Sequence, residues 1–203
     1  MQHREGRDGP LARVLDRVPD AEVITDTGDG ENPWRGFQQC LQPADATHVA
    51  ILQDDTVPCL GFRETVLRAI AEKPDSVISL FVGGLGNRTR RDFLAAVHTG
   101  NRWCPIYFRD IHHVVATVWP AAVAADFLAW AETARIPGKP PVRSDDMVVG
   151  YWARTTKHTV WATVPSLVQH PDDVPSLIRP RVAGRGDRGR TAIAWLEDGR
   201  DWG

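Results

Sequence analysis

The chain has 203 residues, 42% of them hydrophobic and 25% charged, which suits one domain, or one domain with a small appendage, built on a real core. A formal net charge of -2 excludes a global basic field, so any binding to nucleic acid or an anionic membrane has to be local. There is no run of about 18 apolar residues, and Met1-Gln2-His3-Arg4-Glu5-Gly6 lacks a signal-peptide core, so the expectation is a cytoplasmic protein with no membrane span. Cys40, Cys59 and Cys104 are widely spaced without Cys-x-x-Cys and read as buried free thiols rather than a disulfide framework or a zinc site.

Taken in order, the first strand is tiny or missing, because His3 and Arg4 already precede a helical pattern of Leu11, Val14, Leu15 and Val18 that stops at Pro19. Ala21 to Thr25 reads as a strand ended by Asp26 and a Gly-rich loop, Thr27 to Pro33, able to approach a ligand closely. Trp34 to Leu41 reads as a helix with Trp34, Phe37 and Leu41 on one face. Val49 to Leu52 is an unbroken apolar run, the pattern of a strand buried on both faces, and it ends on Gln53, Asp54 and Asp55. Ligands of open α/β sheets sit at the carboxyl ends of strands, so this carboxylate pair reads either as a site for a divalent cation or as a polar turn before Pro58.

A helix is expected from Phe62 to Glu72, a strand from Ser76 to Val82, a Gly-rich turn, and a polar helix from Thr89 to His98. The alternation of strands and helices predicts a mostly parallel, doubly wound sheet. Trp103 to Phe108 and His112 to Trp119 are β-prone and expected in a hairpin or mixed-sheet region. Pro120 opens a helix carrying Val123, Phe127 and Trp130, and 136–141 is a stiff proline-rich connector. Ser144-Asp145-Asp146 starts the next helix, where the carboxylates serve either the dipole and cap or a chemical role. Thr159 to Val164 is a strand leading to Pro165-Ser166-Leu167-Val168-Gln169-His170. Arg179, Arg181, Arg185, Arg188 and Arg190 lie among glycines in a loop that either closes over phosphates or is a solvated tail, and Thr191 to Leu196 is apolar enough to dock on the core.

Together, Gln53-Asp54-Asp55, Ser144-Asp145-Asp146 and the stretch ending in His170 resemble nucleotide-sugar glycosyltransferases of the GT-A fold, over roughly Ala21 to Ser176. The resemblance implies an α/β, GT-A-like catalytic domain over 1–178, with a mostly parallel central sheet flanked by helices. One half would be Rossmann-like and bind nucleotide, the other a mixed-sheet acceptor half, followed by the Arg/Gly-rich loop and C-terminal segment over 179–203. In that family a D-x-D-like triplet after a central strand holds manganese or magnesium on the donor diphosphate. Gln53-Asp54-Asp55 stands there, with Gln in the first acidic place, so the resemblance implies Asp55 as metal ligand and Gln53 and Asp54 as donor contacts. It implies His170 as a second ligand, a combination of imidazole and carboxylate that suits manganese.

Asp146, with Asp145 second, matches the carboxylate base of inverting members. His3, Arg4 and Asp26, at the ends of the first two strands, would surround the nucleoside, with Trp34 either stacking on the base or facing the core. The function implied is a metal-dependent transfer, with inversion, of a sugar from a nucleoside-diphosphate sugar to a hydroxyl of a glycan, protein, small molecule or hydroxylated DNA base. Two readings stay beside it: a noncatalytic nucleotide-sugar binding module, and a metal-dependent nucleotidyltransferase or phosphohydrolase.

Overall fold

The structure, a computed structural model, describes residues 1–26, 33–42, 45–83, 87–111, 114–134, 144–171 and 191–202. Its strands are β1 (Gln2–Arg4), β2 (Ile24–Asp26), β3 (His48–Leu52), β4 (Val57–Pro58), β5 (Val77–Ser79), β6 (Trp103–Ile106), β7 (Ala116–Pro120), β8 (Val160–Thr163) and β9 (Val168–Gln169). Its helices are α1 (Asp8–Leu15), α2 (Pro33–Cys40), α3 (Phe62–Glu72), α4 (Asn87–Thr99), α5 (Ala121–Thr133) and α6 (Asp145–Thr156). The fold is mixed α/β.

The central sheet has the order β3-β7-β5-β8-β6. It is not the mostly parallel sheet expected: β7 runs antiparallel to both β3 and β5, β6 runs antiparallel to β8, and β5–β8 alone is parallel. The reason is physical. An apolar run has the same composition whichever way its neighbour runs, so strand direction is absent from local pattern. β3 is also not the central strand buried on both faces that was expected: it is the edge strand of this sheet, with Ala50 exposed and only Ile51 and Leu52 buried, because apolar content alone does not fix a strand's place in the sheet order. β6 and β7 lie in a mixed sheet, as one of the two expectations had it, but they are not a hairpin, because β5 and β8 separate them.

Successive residues of a strand project to opposite faces, and the two larger of the three apolar clusters among the described residues follow that rule. Leu52, Ile78, Ala116 and Val118 pack with Phe62, Val66 and Ala69 of α3 and Val14 of α1. Ile51, Val77, Trp119 and Val160 pack with Trp34 and Phe37 of α2, Phe127 of α5 and Trp152 of α6. Helices thus cover both faces.

β1 pairs in parallel with β2 and touches the end of β3 through the Gln2–Gln53 bridge, reinforced by the Asp54 N–H donating to the Gln2 carbonyl at 3.0 Å. The short first strand therefore exists and ends beside Asp54. Residues 191–196 dock on the core as expected: the Ile193 N–H donates to the Val82 carbonyl and the Leu196 N–H to the Ser166 carbonyl, each at 3.0 Å. Cys59 and Cys104 are buried free thiols, and Cys40 is half-buried. Among the described residues no helix is long and apolar enough to cross a membrane.

Candidate functional site

β3 delivers Asp54 and Asp55 into a buried turn, their side chains only 4% and 7% exposed. Carboxylates so deep are retained only when their oxygens are matched, and here the matching comes from far along the chain. Asp54 Oδ2 accepts from the Arg4 backbone N–H at 2.8 Å and lies 3.0 Å from His3 Nδ1. Arg7 Nη1 donates to Asp54 Oδ1 at 2.8 Å and to Asp55 Oδ2 at 3.0 Å, so one guanidinium spans both carboxylates. His170 Nε2 approaches the same Asp55 Oδ2 at 3.2 Å. Burial pushes the Asp55 carboxyl up, but the hydrogen bond and charge of His170, with Arg7 behind them, outweigh it and hold the group well below the usual carboxylate range.

His170 is positioned by its neighbour. Gln169 Oε1 accepts from the His170 N–H at 2.9 Å and from the Ala192 N–H at 2.7 Å, tying β9 to the C-terminal segment. Ser166 is buried, and its hydroxyl oxygen accepts from the Val82 N–H at 3.1 Å. The imidazole itself is 3% exposed.

The second carboxylate pair opens α6. Ser144 sits at the N-cap but makes no side-chain capping bond, so the cap explanation for this serine is not realised. Asp145 Oδ1 instead accepts from the Asp146 N–H at 2.9 Å, and Asp145 Oδ2 accepts from Gln53 Nε2 at 3.3 Å. This contact explains Gln at the first position of the triplet: a third acidic side chain would face the buried Asp145 with like charge, whereas an amide donates to it. Burial, with the charge of Asp55 adding to it, pushes Asp145 up to about 6. Burial and the charge of Asp145 push Asp146 up to about 7. Both carboxyls therefore hold a proton to higher pH than an exposed aspartate does.

Of the residues singled out from sequence, His3, Arg4, Asp54, Asp55 and His170 are joined through one set of contacts and Gln53, Asp145 and Asp146 through another, the two sets meeting where Gln53 precedes Asp54 in the chain. Asp26 is opposite Arg4 in the β1–β2 register, at the strand end expected. Trp34 is core: 5% exposed, with ring centroids 6.0 Å from Phe37 and 5.6 Å from Phe127, it is corrected from a base-stacking residue because α2 turns its apolar face inward. Arg7 was missed. Its signal was weak, an arginine just before a helix, and its partners lie 47 and 48 residues away. The Gly-rich loop 27–32, Asp172, Asp173, Ser176 and the arginine loop 179–190 lie outside the described residues.

Among the described residues no three His, Cys, Asp or Glu side chains are grouped to hold a metal ion. Asp55 Oδ2 and His170 Nε2 are a carboxylate oxygen and an imidazole nitrogen, atom types that suit manganese, but here they face each other at 3.2 Å and Arg7 Nη1 donates to the same oxygen, so a cation would have to take the place of these contacts. No protein-family model matches the chain, and no curated protein matches it. Function therefore has to come from the chemistry of the site.

Proposed function

We propose that the protein is a metal-dependent glycosyltransferase that moves a sugar from a nucleoside-diphosphate donor to an acceptor hydroxyl with inversion. The observation that carries this reading is that Gln53, two residues before Asp55 in the chain, donates to Asp145 at 3.3 Å, which brings the Asp145–Asp146 start of α6 to the end of β3 that carries the Asp55–His170 pair. One pair has the donor atoms of a cation site, and the other has carboxyls whose proton affinity is raised toward neutrality.

Asp55 and His170 would hold the divalent cation, which when bound supplies charge neutralisation for the departing diphosphate. Asp146 accepts the proton of the acceptor hydroxyl as that oxygen attacks the anomeric carbon; the bond from that carbon to the diphosphate oxygen breaks, and its electron pair leaves with the diphosphate. Gln53 keeps Asp145 oriented, and the Asp145 charge raises the basicity of Asp146. His3, Arg4 and Asp26 border the nucleoside.

A thermal-shift panel of UDP, GDP, CDP, TDP and ADP, each with and without manganese, tests the donor site, because a ligand bound only by the folded chain raises its apparent stability. Stabilisation that needs both one nucleotide and the metal is expected. No shift with any pair up to millimolar concentration would sink the reading.

One observation favours a noncatalytic binding module on the same site: Arg7 already spans Asp54 and Asp55, so both carboxylates have a cationic partner in the protein itself. Asp146→Asn separates the two. A transferase loses turnover while keeping nucleotide binding, and a binding module shows no turnover to lose.

A further inference from the structure

A cluster of arginines and aromatic rings lies at the end of β6, away from the carboxylates. After Ile106 the chain passes through Tyr107 into a 3-10 turn over Phe108–Asp110, where the Tyr107 and Phe108 rings are 4.7 Å apart and both half-buried. The Arg88 guanidinium of α4 lies 4.9 Å over the Tyr107 ring. Arg109 of the turn and Arg154 of α6 lie 5.7 and 5.5 Å over Phe108. All three arginines are exposed. Nearby carboxylates are committed elsewhere: Asp92 to Arg91, and Asp110 to the Thr89 backbone N–H at 2.9 Å. The result is a local basic surface on a chain whose net charge is -2.

α6 connects this surface to the proposed base. Asp146, Gly150 and Arg154 are spaced by four and share a helix face. Gly150 is the point where the 3-10 turn rests on that face, since a Cβ there would stand 2.9 Å from the Phe108 carbonyl oxygen. Arg154 is thus roughly 12 Å along the helix from Asp146, eight residues at the α-helical rise.

Exposed guanidiniums held over half-buried rings offer phosphate contact and, on the guanidinium planes those rings support, base stacking in one place. A bare polyanion would use the charge and ignore the rings, while an A-form duplex would offer phosphates but keep its bases stacked inside. We infer that the Tyr107–Phe108 surface with Arg88, Arg109 and Arg154 docks a single-stranded nucleic acid. Its position on the Asp146 face makes a hydroxyl carried by such a strand the acceptor class, an assignment that rests on the transferase reading.

The test is fluorescence anisotropy of a labelled oligothymidylate with the full chain, without nucleotide sugar or metal. Saturable binding that weakens with salt is expected, lost by about tenfold or more in Arg88→Ala/Arg109→Ala/Arg154→Ala and by about tenfold in Tyr107→Leu, with melting checked for each variant. No binding, binding unchanged in the triple variant, or displacement by a heparin fragment as efficient as by unlabelled strand with Tyr107→Leu silent, would overturn the dock. The acceptor assignment is read separately, as faster release of nucleoside diphosphate from nucleotide sugars of the base that stabilises in the thermal-shift panel, with manganese, when strand is added. Release that ignores the strand overturns that assignment and leaves the dock standing. Strand binding without any donor stabilisation overturns the transferase reading alone.

Discussion

Arg7→Ala removes the one guanidinium that bridges two adjacent buried carboxylates. Its side chain is 13% exposed, against 4% for Asp54 and 7% for Asp55, so water replaces little of what is lost. Removing one partner of a buried ion pair costs about 3–5 kcal/mol, because the other charge is stranded. The site blunts this: Asp54 keeps the Arg4 N–H and His3, and Asp55 keeps His170. The lower end, about 3 kcal/mol, is therefore expected, or a drop in Tm of roughly 6–12 °C for a chain of this size.

The effect has a pH signature. Asp55 is held below its ordinary value by His170 and Arg7 against the opposing effect of burial, so its stabilising contribution is present above the unfolded carboxylate pKa and is lost as pH falls through the folded one. The gap between the wild type and Arg7→Ala should be full at pH 7 and begin to narrow below about pH 4, where Asp55 protonates in the unfolded chain while the folded site still holds its charge. Thermal melts of both proteins between pH 3 and pH 8, about the usable range, followed by circular dichroism, give the comparison. A Tm for Arg7→Ala within about 2 °C of wild type at pH 7 would refute the argument that the guanidinium holds this site together.

The sign reverses for Asp145 and Asp146. Their folded pKa values lie above the unfolded one, so stability falls as pH rises from about 4 through about 7; Asp146→Asn should melt roughly 2–4 °C higher than wild type at pH 8, and nearly level with it at pH 4. In the proposed transfer the same change lowers kcat by about a hundredfold or more, and wild-type kcat rises with pH through about 7. Trp34→Ala should cost about 3–5 kcal/mol in denaturant titrations yet leave nucleotide affinity unchanged once folded, because the ring is core; selective loss of nucleotide binding at full stability would restore a stacking role. Gly150→Ala drives a methyl group against the Phe108 carbonyl and should cost about 1–3 kcal/mol, with the perturbation seen by hydrogen exchange first around 107–110.

What the sequence determined by itself was whatever local pattern encodes. α3 spans Phe62–Glu72 as its periodicity predicts, β3 ends on the carboxylates as its apolar run predicts, and 191–196 returns to the core because it is too apolar to stay in water. The candidate residues were legible singly, since apolar runs ending in Asp-Asp and helices beginning with Asp-Asp are local signals. Their union was not. His3, Arg7, Asp54, Asp55 and His170 come together because β1 lies beside the end of β3 and β9 lies on β4, pairings set by long-range packing that leave no trace in any short window. The same holds for the orientation of β7, and for the raised proton affinity of Asp146, which exists only once tertiary burial has removed the water that would otherwise stabilise its charge.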